Sequence, residues 1–283
     1  MGSRFLLGWK PRRPICSGLR SRPRASARSA RWSTKAGGRW RPAGPGEPVI
    51  RVLAPESLAD SSRVVTLDDD EAHHLRVRRA ADGDPAEVLD GRGRIGTGRL
   101  VAQGKGWQVA LDRVRSVPVP ADLILLVGGG DKDRFAWLIE KAVELGVTEV
   151  VPLDTERSRH VASRVRDEHR GRLELRAAEA LKQSGGAWGL RIWRVTGLQA
   201  ALAAVTATDR WLADPSGADL KTAAPDRSVA IVVGPEGGLT ATECDGARAA
   251  GFVPAALGGR ILRFETAAIA AATIAGLGRK EPG

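Results

Sequence analysis

Apolar and polar positions follow one another along this chain in three different ways. Up to residue 47 they show no period at all. From 48 to 118 the apolar residues come in short runs broken by turn signals. Residues 64–67, 86–89, 94–101 and 107–114 read as strands, with Asp82-Gly83 and Asp90-Gly91 as turns. Residues 68–77 read as one short helix. Pro118 and Pro120 mark a linker, and beyond it the runs lengthen. Residues 123–127 and 229–233 are unbroken apolar stretches, the mark of strands buried on both faces. Between them, residues 132–145 put Phe135, Leu138, Ile139, Ala142 and Val143 on one helical face, and Gly146 stops the helix. Residues 147–153, 192–195, 211–213 and 252–257 read as further strands, and 164–183 as mostly helical despite Gly171. Thr240 with Glu243 forms a capping box, so a helix starts there. An Ala-rich apolar run closes the pattern at Leu277. Strands alternating with helices predict an α/β fold with a mainly parallel sheet. The chain therefore divides into an extension over 1–47, a small β-rich domain over 48–118 and an α/β domain over 119–283.

Charge changes this picture in one respect. The net charge is +11, yet residues 1–46 carry 12 Lys and Arg and no acid. The remainder holds 32 Lys and Arg against 33 Asp and Glu, so the body is near neutral and the basic character belongs to the extension. That extension lacks the apolar content to fold. Three readings of it stand open: a targeting peptide, a basic arm touching RNA, or a mis-set start in a GC-rich gene. The last fits a chain with no Asn or Tyr and 36 Arg against 8 Lys. Cys16 and Cys244 show neither pairing nor metal-ligand spacing, which fits a reducing cytoplasm. No apolar run approaches the roughly 18 residues of a membrane span.

The candidate chemistry is narrow. No G-x-S-x-G, H-E-x-x-H, C-x-x-C or P-loop motif is present. Gly91 to Gly96 matches G-x-G-x-x-G, but the residues after it read as a strand, and a dinucleotide site needs a helix there. His73 and His74 point different ways on a helix and make a poor metal site. No metal is expected. Between Arg76 and Arg115 nine Lys and Arg stand against five acids, either a solvated face or a nucleic-acid surface. The strongest signal is a pair of glycine corners. One is Gly234-Pro235-Glu236-Gly237-Gly238 after the buried run. The other runs from Leu257, Gly258 and Gly259 through Ile261, Leu262, Arg263, Phe264 and Glu265 to Thr266. Two such corners after two strands build a ligand crevice in an α/β protein.

These corners, together with His74 to Arg79 and the run from Glu140 to Val147, resemble the SPOUT methyltransferases. Within these the chain is most similar to the ribosomal RNA small-subunit uracil-N3 methyltransferase family, over roughly residues 49–278. The resemblance implies a small PUA-like β-barrel domain ahead of a trefoil-knotted α/β domain, a homodimer, and S-adenosylmethionine as cofactor. It places that cofactor against Gly234, Pro235, Glu236, Gly237, Leu257, Gly258, Ile261, Leu262 and Arg263. It implies methylation of uracil N3 in 16S ribosomal RNA, free or in the small subunit. Uracil N3 must lose a proton to become a nucleophile. Arg263 is the expected electrostatic partner and Glu236 or Glu265 the expected base, although each carboxylate can equally serve to hold a loop. Arg76, Arg78 and Arg79 are the expected RNA contacts. A methyltransferase for another RNA and a catalytically silent RNA-binding protein are the alternatives. The chain departs from the family pattern at Lys182, where Glu is usual, at Gly186, where Arg is usual, and at Phe264, where a smaller residue is common.

Overall fold

The computed structural model describes residues 49–104 and 106–279; the expected extension over 1–47 lies outside them. The first domain runs β1 (Ile50–Leu53), β2 (Val64–Thr66), α1 (Asp69–Val77), β3 (Pro85–Leu89), β4 (Arg94–Gln103) and β5 (Gly106–Ser116). Its five strands stand in the order β1-β3-β4-β5-β2, with β1 parallel to β3 and the other pairs antiparallel. Strand β4 sends Leu100 inward, where Val52, Val88 and Val109 meet Leu75 of α1, while Ile95, before the register shift at Thr97–Gly98, packs with Leu89 and Val117 in the core shared with the second domain. Helix α1 begins where the sequence places it. The Asp68 carboxylate accepts from the Glu71 amide at 2.8 Å, and Asp69, Asp70 and Glu71 sit at the positive end of the helix.

The second domain runs β6 (Leu123–Gly128), α2 (Lys132–Glu144), β7 (Glu149–Asp154), α3 (Arg170–Ser184), β8 (Arg191–Ile192), β9 (Thr196–Gly197), α4 (Leu198–Ala204), β10 (Asp209–Asp219), β11 (Val229–Val233), α5 (Ala241–Ala249), β12 (Val253–Ala256) and α6 (Phe264–Gly276). The strands pair in parallel in the order β12-β10-β11-β6-β7-β8, and β9 also pairs with β7. Every residue of β6 and β11 is buried, as their unbroken apolar runs require. One face of the sheet is covered by α2, α3 and α6, the other by α4 and α5. Each Leu, Ile, Val or Phe fully buried there contributes roughly 1.5–3 kcal/mol.

Three stretches differ from the sequence expectation. Residues 155–166 are loop, and α3 starts at Arg170 after a 3-10 turn at Asp167–His169. The backbone here bonds elsewhere: Lys132 N–H donates to the Ser163 carbonyl at 2.8 Å, and Val165 N–H donates to the Gly130 carbonyl at 3.0 Å. The expected strand at 192–195 ends at Ile192, because Asp167 takes the Val195 amide at 2.7 Å. Strand β10 instead runs on to Asp219, shifting register against β12 between Ala213 and Ala218. Strand β1 and helix α4 have no counterpart in the sequence pattern; each is short, and α4 spends its two turns burying Leu198, Ala201 and Leu202.

The two domains meet along residues 182–189. Gly93 N–H donates to the Ala187 carbonyl and Gly189 N–H to the Gly91 carbonyl, both at 2.9 Å. The Trp188 indole N–H donates to the Pro118 carbonyl at 3.0 Å. Gly93 has φ +94°, and a Cβ on it would lie 2.3 Å from the Trp188 ring. The G-x-G-x-x-G match thus leads into strand β4, and its middle glycine, Gly93, receives an indole rather than a dinucleotide.

Candidate functional site

Strands β11 and β12 end on either side of β10 where β10 shifts register, and a cleft of about 330 Å³ opens there. This is the edge at which parallel sheets bind ligands. The corner after β11 turns tightly, with Gly238 N–H donating to the Pro235 carbonyl at 2.8 Å. A Cβ on Gly234 would stand 3.1 Å from the Leu239 amide, so a side chain there would press the corner's backbone outward by a few tenths of an ångström. The capping box forms as its sequence requires. Thr240 N–H donates to Glu243 Oε2 at 2.8 Å, and Glu243 Oε1 takes the Glu156 amide at 2.8 Å, tying loop 155–166 to the corner.

Of the residues expected to hold the cofactor, Gly234, Pro235, Glu236, Leu257, Gly258, Ile261 and Leu262 line this cleft. Ile261 is 97% exposed, a large apolar side chain at an open mouth. Gly237 and Arg263 are not among the lining residues. The Gly237 carbonyl faces outward and accepts from Arg157 Nη1 at 2.6 Å. Arg263 is the exposed N-cap of α6, and its side chain makes no hydrogen bond or ion pair among the described residues.

The two candidate carboxylates occupy different settings. Glu236 is exposed at the cleft, and its Oε1 accepts from the Asp131 amide at 3.3 Å. Glu265 is 7% exposed and off the cleft wall, with Oε1 3.8 Å from Arg134 Nη1 and Oε2 without a partner among the described residues. The Phe264 departure has a local cause. Its ring stacks on Phe135 at 6.3 Å between centroids, and it fits because Gly130 has no Cβ, which would stand 2.4 Å from the ring.

Sequence reasoning missed Asp214, which lines the cleft beside Leu212 and Ala213. Hydrogen bonds from the Ser216 amide and hydroxyl, with Arg248 nearby, hold its carboxyl below the usual range. The signal was a carboxylate directly after the apolar residues Trp211 to Ala213. Cys244 also lines the cleft, and burial pushes its thiol up. In the first domain Arg76, Arg78 and Arg79 cluster at the end of α1, all exposed and free of ion pairs among the described residues. Arg78 and His74 line a second cleft of about 520 Å³, whose other wall is α3. Among the described residues no group of His, Cys, Asp and Glu is placed to hold a metal, and no helix is long and apolar enough to cross a membrane.

A glycine corner, an apolar slot and flanking carboxylates at the edge of a parallel sheet, behind a small β-domain, define the class: a SPOUT-type α/β methyltransferase fold with a PUA-like domain. The comparisons agree. A family described as "RNA methyltransferase domain" matches residues 117–276, and one described as "RNA methyltransferase PUA domain" matches residues 67–106. The chain is 34% identical over 231 residues to ribosomal RNA small subunit methyltransferase E of Synechocystis, covering 76% of this chain and 73% of that protein. It also superposes with a TM-score of 0.70 on the crystal structure of a ribosomal RNA small subunit methyltransferase E from Neisseria gonorrhoeae bound to S-adenosyl methionine. That match has 29% identity and covers 80% of this chain and 95% of the other. The chain belongs to this family of small-subunit ribosomal RNA methyltransferases.

Proposed function

We propose that this protein transfers a methyl group from S-adenosylmethionine to N3 of a uridine in 16S ribosomal RNA. The observation that carries the reading is the cleft at the ends of β11 and β12 and the register shift of β10, built from both glycine corners. Its volume falls within the roughly 300–1,000 Å³ typical of small-molecule sites. Leu212, Val233, Leu239, Leu257 and Leu262 supply an apolar slot, and Ile261 stands at the mouth ready to be covered. Backbone groups of Gly234 and Gly258 lie open for hydrogen bonding. S-adenosylmethionine supplies an electrophilic methyl on a positively charged sulfur. Glu236, and Asp214 with its Arg248 partner at 3.1 Å, line the cleft and would supply negative charge to that cation.

On the RNA side, Glu236 is the better placed of the two candidate bases, because it faces the cleft while Glu265 is buried against Arg134. Glu236 accepts the N3 proton, and Arg263 stabilises the negative charge left on the uracil oxygens. Arg263 suits this role because no carboxylate among the described residues neutralises it. The Arg157 bond to the Gly237 carbonyl and the Glu243 bond to the Glu156 amide keep the corner in shape. Arg76, Arg78 and Arg79 contact RNA phosphates at a distance from the chemistry. The protein acts in the cytoplasm as a homodimer, as the family resemblance implies; light scattering checks the dimer.

The test is methylation of small ribosomal subunits and of free 16S RNA, followed by nucleoside mass mapping. The reading requires 3-methyluridine at one position of 16S RNA. A methyl group on carbon 5, on cytosine or only on another RNA would overturn it.

A further inference from the structure

The departure at Lys182 is where the seam between the domains is electrically most loaded. Lys182 sits in the last turn of α3 and is 8% exposed. Its Nζ is 2.7 Å from Glu71 Oε1 of α1 and 2.7 Å from Glu179 Oε1 one turn back. Glu71 is 6% exposed, and its second oxygen is buried with no partner among the described residues. Lys182 is therefore the one cation paired with that carboxylate among the described residues. Burial works against the ammonium, but hydrogen bonds to Glu179 and Glu71 outweigh it and hold Lys182 above its usual range, hence charged. A second strut lies beside it. Arg51 pairs with Glu87 at 2.8 Å and donates to the Gln183 carbonyl at 3.0 Å, at the open C-terminal end of α3.

Glu71 stands in the first turn of α1, and Arg76, Arg78 and Arg79 at its end. A nine-residue helix is a short rigid rod of about 14 Å. Where Glu71 is pinned, the arginines are pinned as well. We propose that Lys182 is a positioning residue for the RNA substrate: its buried pair with Glu71 fixes α1, and so the arginine cluster, relative to the cofactor cleft. The inference rests on the reading that RNA docks on those arginines. A seam held only by packing tolerates a neutral side chain of similar volume, whereas a charge-set register does not.

The experiment uses the full chain, with Lys182→Met as the removing variant and Lys182→Arg as the rescuing one. Steady-state methylation of small subunits, S-adenosylmethionine affinity and hydrogen exchange of α1 are read together. Lys182→Met is expected to raise KM for the RNA on the order of tenfold while kcat and S-adenosylmethionine Kd hold within about twofold. Exchange of the α1 amides rises, and Lys182→Arg returns both readouts toward wild type. A role in stability alone would lower Tm and the active fraction without moving KM. Folded Lys182→Met with wild-type KM and wild-type α1 exchange overturns the proposal. If Lys182→Met does not fold, Glu71→Gln takes its place, removing the charge of the pair while keeping the side chain's shape. A raised KM for RNA with faster α1 exchange and unchanged S-adenosylmethionine affinity in that variant supports the pairing, and wild-type KM with wild-type α1 exchange contradicts it. Failure of the wild-type protein to methylate small-subunit RNA would instead strike the function reading, which keeps the two outcomes apart.

Discussion

At Gly91 and Gly93 the backbone bends beneath Trp188; at Gly234 to Gly238 it bends around an open cleft. Both segments follow a strand, and both are rich in glycine. In the first, the space left by the missing Cβ is filled by an indole of the same chain, and the surrounding amides and carbonyls find partners across the seam. In the second, the Gly238–Leu239 backbone closes over Gly234, and beside it a cleft stays open, with Ile261 left in solvent and Asp214 and Glu236 on its lining. A glycine corner is a permission for close approach and does not say what approaches. The neighbours decide it. Trp188 is three residues past Gly185, which ends α3, and is delivered to Gly93 by that turn. Among the described residues no side chain is delivered to fill the cleft beside Gly234.

The largest effect separating the two corners is expected at the filled one. Gly93→Ala forces a Cβ to within 2.3 Å of Trp188 at a φ of +94°. Overpacking and the left-handed backbone together cost roughly 2–5 kcal/mol, a drop in Tm of roughly 5–15 °C. Differential scanning calorimetry reads it, and an unchanged Tm would mean that the seam yields easily. Of middle size is Arg76→Ala with Arg79→Ala, which touches neither corner. RNA binding should weaken roughly tenfold, about 1.4 kcal/mol, with S-adenosylmethionine affinity unchanged. The salt slope should shrink by about one unit for each phosphate no longer neutralised. Filter binding across a salt series checks it, and a wild-type slope would remove α1 from the RNA path.

The smallest effect comes from a solvated pair outside both regions, which measures how much of the seam's strength is burial. Arg227 forks onto Asp209 at 2.8 and 2.6 Å and holds the carboxyl below its usual range. A lowered folded pKa stabilises above the unfolded value, about 3.9, and that contribution is lost as pH falls through the folded value. Arg227→Ala should therefore lower stability only slightly at neutral pH, as expected for a solvent-exposed pair. The gap to wild type should close in acid. Denaturant titrations at pH 7 and pH 3 decide it; a gap that widens in acid reverses the sign.

Much of this was legible in the chain because its signals are local. The Thr240 and Glu243 box, the apolar stripe of α2 and the fully apolar β6 and β11 each lie within a dozen residues. Seven of the nine cofactor positions that the family resemblance implies line the cleft. What escaped depended on distant partners. Glu71 and Lys182 are 111 residues apart, so Lys182 could be seen only as an odd residue. Residues 164–166 read as the start of a helix, but the Val165 amide is claimed by the Gly130 carbonyl and the neighbouring Ser163 carbonyl by the Lys132 amide. Asp214 looked like a strand end until β10 was laid beside β11 and β12. Arg263 and Glu265 sit in one motif, yet the start of α6 sends one to solvent and buries the other.

The contrast between a filled and an open corner is tested most directly by titrating S-adenosylmethionine into three proteins by calorimetry with chelator present: wild type, Gly234→Val and Gly93→Ala. Wild type and Gly93→Ala should bind alike below the Gly93→Ala melting point. Gly234→Val should keep a cooperative unfolding transition and give no binding heat, because a branched side chain drives the Gly238–Leu239 backbone into the slot. Binding by Gly234→Val at wild-type affinity, or loss of wild-type binding under chelation, would contradict the account.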